Sequence, residues 1–355
     1  MTDARLVLAT GDTFHGKVAE WFSGIQFGEV VFNTGMVGYS EAMTDPSYQG
    51  QILTFTYPMI GNYGVDAPEL WESDRIQVRA VIVQQAAPFH AKAASHESFL
   101  SWCQSQNVPV LTGVDTRALT KCLREHGVVS GAITTLKSNP KTFEDINKVH
   151  LVAKASIAKP IEVGKGKLKL IAIDCGMKEN IWRNLQQFPW QIKRVPFDYD
   201  LSHEDFDAVF ISNGPGDPKI CVETIAVIKQ ALAHKKPVFG ICLGCQLMAL
   251  AIGAKTYKLP FGHRSQNQPC LDIETGRCYL TSQNHGYAVD EKSLPKGWHV
   301  TYRNLNDDTV QGIAHKNLPF FAVQFHPEAA PGPVDTMSIF KTFYEMVQKE
   351  HETTE

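Results

Sequence analysis

The stretch VFGICLGCQ at residues 238–246 constrains the fold more than any other part of the chain. Val238 and Phe239 favour a strand, and the QLMALAIGA segment that starts at Gln246 spaces its apolar residues as a helix does. Gly240 and Gly244 flank Cys242 two positions away on either side, where small residues permit a tight strand-to-helix turn. G-x-C-x-G is the cysteine form of the nucleophile elbow, which presents a reactive side chain at the carboxyl end of a sheet. A thiol at a helix N-terminus gains from the unpaired amides and the helix dipole, both of which favour the thiolate. Cys242 is therefore the first nucleophile candidate. Two plainer readings stand beside it: a buried, inert thiol, or, with Cys245, a C-x-x-C redox pair or half of a zinc site. Zinc would need a second ligand pair at similar spacing, which neither Cys270 and Cys278 nor a nearby histidine pair supplies, so no metal is expected.

The 355 residues suit two domains, each large enough for its own core. A net charge of -3 gives no basic field, so neither nucleic acid nor an anionic membrane is an expected partner. The first residues lack a basic region followed by an apolar run, and no stretch approaches 18 apolar residues. Eight cysteines in so long a chain are too sparse for a disulfide scaffold and fit a reducing, cytoplasmic setting.

Residues 1–150 read as an α+β region of short strands. Residues 32–64 are dense in turn residues around one strand at 51–56, and by themselves read as connectors. A strand is expected at 76–84 and a helix at 98–106. A second helix opens after Asp115 as N-cap and stops at Gly127. Periodicity fades over 140–167, and 151–166 reads as a linker. From Leu168 the pattern becomes alternating strand and helix, which implies a mainly parallel sheet with helices on both faces. Asp174, the turn from Gly214 to Asp217, and Cys242 all fall at strand carboxyl ends, where catalytic groups of open α/β sheets gather. After Ala254 a series of short strands is expected, closed by the strand FFAVQF and a helix over 334–348.

His326 follows that strand and precedes Pro327, which biases it to extended geometry. Residues two apart in an extended chain share a side, so His326 and Glu328 can face one site. A carboxylate beside an imidazole fixes its tautomer and stabilises the imidazolium. His285 and His263, among 13 histidines, lack such a neighbour and rank behind.

GICLG-x-Q with FHPE, in that order, resembles the class I (triad) glutamine amidotransferase domain over about residues 167–349, which puts that domain at 167–355. The resemblance implies that Cys242 attacks the glutamine amide carbon, His326 carries the proton and Glu328 orients the histidine. FNTGMVGYSEAMTDPSYQGQILTFTYPMIGNYG and GVDTRALTKCLREHG resemble the N-terminal domain of the small (glutaminase) chain family of carbamoyl phosphate synthetase, and ISNGPGDP and TSQNHGYAV extend the likeness. The family's glutamine contacts then fall on Ser47, Gly214, Gly216, Leu243, Gln246, Asn284, Gly286 and Tyr287, with the Leu243 amide and a glycine amide of NGPG as oxyanion donors. Ser47 in this reading reaches the substrate from the other domain, which replaces the connector reading of 32–64.

Ser265 stands where many members carry glycine, and Cys245 occupies a variable position; neither removes a catalytic atom. The resemblance implies a synthetase large chain as partner, with ATP, magnesium and bicarbonate bound there, no cofactor in this chain, and low glutaminase activity until the partner binds. Two rivals remain, a non-catalytic regulatory subunit of the same fold and a peptidase or γ-glutamyl hydrolase on the same scaffold. The choice between pyrimidine and arginine synthesis stays open.

Overall fold

The computed structural model describes residues 1–89, 95–137 and 139–354. The chain divides into two compact units, one of Met1–Val149 with Pro260–Ser265 and one of His150–Leu259 with Gln266–Glu355.

The first unit is built on strands β1 (Thr2–Leu8), β2 (Thr13–Val18), β3 (Ile25–Asn33), β4 (Gln51–Phe55), β5 (Ala80–Ile82), β6 (Val110–Leu111) and β7 (Val129–Thr134). They form one sheet in the order β2-β1-β7-β3-β4-β5-β6, antiparallel as far as β3 and parallel beyond it. Helices α1 (Tyr39–Thr44) and α2 (Phe99–Ser105) supply Tyr39, Met43, Phe99 and Trp102 to a core with Val31, Leu53 and Val81. Helix α3 (Thr116–His126) packs Leu119 and Leu123 into a separate core with Leu6, Leu8, Ile52 and Ile82. Alternate residues of β4 and β5 thus serve different cores, as period-two side-chain direction requires. Asp115 caps α3 by accepting from the Ala118 amide at 2.9 Å, and Gly127 closes it at φ 85°, as its sequence implies.

Two sequence expectations need adjusting here. The 76–84 strand shortens to Ala80–Ile82. The turn-rich 32–64 segment holds α1, which is six residues long, too short to show a period, and almost wholly buried. Its backbone is fixed by tertiary packing rather than by a local pattern.

The second unit opens with α4 (Val152–Ala155) and β8 (Ile161–Val163), which pairs antiparallel with a later strand, so the stretch expected as linker carries structure. Then follow β9 (Leu168–Asp174), α5 (Glu179–Leu185), β10 (Trp190–Pro196), β11 (Ala208–Ile211), α6 (Val222–Ala233), β12 (Val238–Ile241), α7 (Leu243–Ala251), β13 (Lys255–Asp272), β14 (Cys278–Asp290), β15 (Trp298–Asn304), β16 (Val310–His315), β17 (Phe320–Val323) and α8 (Ser338–Thr354). The sheet order is β8-β10-β9-β11-β12-β17-β16-β15-β13-β14. Strands β10, β9, β11, β12 and β17 run parallel.

Each central strand splits its side chains between two cores. Ile171, Ile173, Val209, Ile211 and Val238 meet Val227, Ile228, Leu247 and Met248 of α6 and α7. Leu170, Ala172, Ala208, Phe210 and Phe239 meet Ile181, Leu185, Phe340 and Phe343 of α5 and α8. This is why LKLIAID reads as a near-continuous apolar run ending at Asp174: both faces are covered. Of the short strands expected after Ala254, β15, β16 and β17 are seven, six and four residues long, whereas β13 and β14 extend to 18 and 13 residues.

Candidate active site

Cys242 sits between β12 and α7 with φ 54° and ψ -104°, a conformation that L-residues adopt only under constraint. The constraint is visible in the two glycines. A Cβ on Gly244 would lie 2.3 Å from the Ile211 carbonyl oxygen, and one on Gly240 would lie 2.8 Å from the Gly244 carbonyl. Only hydrogen at both positions lets α7 start this close to β11. The Cys242 amide donates to the Val323 carbonyl at 2.8 Å, anchoring the elbow to β17. The first turn of α7 closes through the Cys245 and Gln246 amides, both donating to the Cys242 carbonyl. The Leu243 amide precedes them at the helix start, where an N–H has no acceptor within the helix.

His326 follows β17 and pairs with Ser282, whose carbonyl accepts from the His326 amide at 2.9 Å. Its Nδ1 lies 2.6 Å from Glu328 Oε1. Cys242 faces the ring and acts on it both electrostatically and as a hydrogen-bond partner. The thiol itself donates to the Asn284 carbonyl at 3.7 Å. Cys242, His326 and Glu328 are 2%, 2% and 1% exposed, so their charges act with little solvent screening. Burial alone would hold the His326 imidazole neutral; the Glu328 carboxylate and Cys242 overcome this and push it upward. Burial would raise Glu328, but the Lys178 ammonium and His326 hold its carboxyl well below the ordinary range.

Lys178 did not stand out in the sequence. Its ammonium, almost fully buried, donates to Glu328 Oε1 at 3.0 Å and to the Ala329 carbonyl at 2.6 Å. Its own amide donates to Asn213 Oδ1 at 3.0 Å, at the end of β11. Asn180 Nδ2 donates to the Glu328 carbonyl at 2.5 Å. Nothing in the GMKEN segment signals this, because the partner carboxylate lies 150 residues away.

Of the other expected site residues, Gln246 Nε2 donates to the Tyr287 carbonyl at 2.9 Å and to Gln324 Oε1 at 3.1 Å, so α7, β14 and the end of β17 are tied together beside the thiol. Asn284, Gly286 and Tyr287 lie on β14, and Gly214 and Gly216 in the turn after β11, with Gly214 packed against Leu243. His285 is held by the Tyr287 carbonyl and Gln283 Oε1 at 2.8 and 3.0 Å. His263 falls in the 260–265 strap of the first unit. Ser47 also belongs to the first unit, in the turn Pro46–Tyr48, where its amide donates to Asp45 Oδ1 at 2.9 Å.

A nucleophilic thiol, an imidazole and a buried carboxylate on a strained elbow can perform acyl transfer. The family model for glutamine amidotransferase class-I matches residues 171–346, and that for the carbamoyl-phosphate synthase small chain, CPSase domain, matches residues 6–133. The arginine-specific small chain of carbamoyl phosphate synthase from Saccharomyces cerevisiae is 44% identical over 368 residues, covering 96% of this chain and 90% of its own. This chain belongs to the carbamoyl phosphate synthase small-chain family. Another such small chain, from Caldanaerobacter subterraneus subsp. tengcongensis, is 46% identical over 349 residues, 96% of either chain. The multifunctional protein CAD of Squalus acanthias is 44% identical over 355 residues, and there this small-chain sequence spans only 16% of the relative's length. The small-chain family thus accounts for both units, with the amidotransferase match enclosing Cys242, His326 and Glu328.

Proposed function

We propose that the chain hydrolyses L-glutamine to glutamate and ammonia and delivers the ammonia to a carbamoyl phosphate synthetase large chain, which binds ATP, magnesium and bicarbonate. The observation that carries this reading is the buried Cys242, His326 and Glu328 row on an elbow closed by Gly240 and Gly244.

In the first half-reaction the Cys242 thiolate attacks the amide carbon of glutamine. The Leu243 amide and a glycine amide of the 213–216 turn receive the oxyanion. His326, charged and aligned by Glu328, protonates the leaving nitrogen; ammonia departs and a γ-glutamyl thioester remains. In the second, His326 takes a proton from water, which attacks the thioester and releases glutamate with the thiol restored. Asn284, Gly286, Tyr287 and Gln246 line the amide pocket in this reading. The chain needs no cofactor of its own. Eight free cysteines support a reducing, cytoplasmic setting, and among the described residues no helix is long and apolar enough to cross a membrane. Residues 1–150 act as the small-chain N-terminal domain and 167–355 as the amidotransferase domain, joined through 151–166.

The test is glutamate release from glutamine by the chain alone and with a large chain. Activity that rises with the partner and disappears in Cys242→Ser, while the complex still makes carbamoyl phosphate from added ammonia, is the expected result. Glutamate release that survives Cys242→Ser, or loss of the ammonia-dependent reaction together with the glutamine-dependent one, would overturn this division of labour. Absence of release and of thioester in the wild-type complex would point to the regulatory subunit instead.

A further inference from the structure

Outside the catalytic unit, three side chains of different chemistry converge at the sheet edge of the first unit. Cys122 and His126 are four residues apart on α3, hence on one face of its last turn. Asp12 comes from the turn between β1 and β2, 110 residues earlier in the chain. Cys122 Sγ lies 3.6 Å from Asp12 Oδ2 and 3.7 Å from His126 Nδ1, and the three atoms all fall within 4.8 Å of one another.

Those separations match a coordination polyhedron. Zinc bonds of about 2.3 Å to sulfur and about 2.0–2.1 Å to nitrogen or oxygen, at tetrahedral angles, give S···N and S···O edges of about 3.6 Å. Two edges of such a tetrahedron already exist without movement of the backbone. Thr10 Oγ1 donates to Asp12 Oδ2 at 2.6 Å and so orients the carboxylate, as the outer hydrogen bonds of metal ligands do. Asp12 and His126 are exposed and Cys122 is half-buried, which leaves an entry path and a fourth position for water.

The geometry points to a zinc-class divalent cation site formed by Asp12, Cys122 and His126. The donor set of one thiolate, one imidazole and one carboxylate suits a borderline-soft ion such as Zn²⁺ or Co²⁺ and disfavours Mg²⁺ or Ca²⁺, which take oxygen ligands. Binding releases the thiol proton to solvent. The His126 Nδ1 proton, which otherwise faces the Cys122 carbonyl at 3.1 Å, moves to Nε2, so the ring ligates as the neutral form. No oxidation is involved. The sequence hides this site because C-x-x-x-H on one helix is only two ligands, and the third is brought in by the β1–β2 turn.

The experiment is a titration of the full chain with Co²⁺, carried out in a Cys242→Ser background so that the active-site thiol contributes nothing. One equivalent of Co²⁺ is expected to produce a thiolate-to-cobalt charge-transfer band in the near ultraviolet, which Zn²⁺ abolishes by displacement. Cys122→Ser removes the band; His126→Gln and Asp12→Asn each weaken binding at least tenfold; Cys278→Ser, at an exposed cysteine outside the cluster, leaves it unchanged. His126 and Asp12 are exposed, so their variants keep the wild-type fold, which the urea midpoint verifies even if Cys122→Ser does not. A band that persists in Cys122→Ser, one that vanishes in Cys278→Ser, or no band at one equivalent overturns the assignment.

Discussion

Glu328 is held by two cations, and each can be removed separately. Its carboxyl is held low, against burial, chiefly by Lys178 and then by His326. A group depressed on folding contributes stability that is fully present above its unfolded pKa, about 4.3, and is lost as pH falls through the folded value. Lys178→Met raises the folded value toward the unfolded one and so narrows the gap, and urea midpoints followed from pH 7 to pH 4 are expected to fall less steeply than in wild type. At neutral pH the same variant leaves a buried carboxylate short of a partner and costs about 3–5 kcal/mol. For His326 the sign is opposite, since Glu328 and Cys242 push it upward. Glu328→Gln withdraws the anion that favours the imidazolium. The alkaline limb of the glutaminase pH profile then moves to lower pH, and kcat falls by at least about a hundredfold, as when the orienting acid of a triad is neutralised. An unchanged alkaline limb would remove Glu328 from the orienting role.

The elbow between β12 and α7 is where one element's geometry is imposed by its neighbours. Gly244→Ala drives a Cβ to 2.3 Å from the Ile211 carbonyl, an atom of backbone that cannot rotate away. α7 must therefore move off β11, at a cost of about 1–3 kcal/mol or more, and the Leu243 amide moves with it. Denaturant unfolding and glutaminase activity should fall together. The positive φ of Cys242 gives a finer test. Strain of this kind is worth about 1–3 kcal/mol, and glycine relieves it while alanine does not. Cys242→Gly is therefore expected to be more stable than Cys242→Ala by about 1 kcal/mol, although both lack the nucleophile. Equal midpoints would mean that the elbow is not strained.

At the scale of the whole molecule, the triad depends on a sheet whose two faces are both covered. Phe239 stands one residue before Gly240 and stacks on Phe321 with centroids 4.5 Å apart, while Phe210, Phe340 and Phe343 pack around it. It thus joins the strand that carries Cys242 to the strand that precedes His326. Phe239→Ala should cost about 3–5 kcal/mol in urea unfolding, since the surrounding rings close only partly over the cavity. Phe239→Leu should cost less and retain activity.

The parts of this architecture that were legible in the sequence are those written in local chemistry. LKLIAID is a strand from Leu168 to Asp174 because its near-continuous apolar run, broken only by Lys169 and ended by Asp174, suits a strand buried on both faces. Asp115 and Gly127 bound α3 because the cap accepts from an otherwise unpaired amide of the first turn, that of Ala118, and a glycine tolerates the closing φ. The glycine spacing about Cys242 and the two-residue step from His326 to Glu328 announce the elbow and the facing imidazole and carboxylate, because elbow and extended strand are short-range geometries. What remained hidden was decided by residues that meet only after folding. Lys178 acquires its role from a carboxylate 150 positions away, α1 is stabilised by burial rather than by a period of its own, and residues 260–265 of β13 pack with the first unit although their chain neighbours belong to the second. Asp12, Cys122 and His126 converge for the same reason. A sequence records which side chains are available and how the backbone prefers to turn, whereas the pairing of distant strands alone determines which charges and donors share a site.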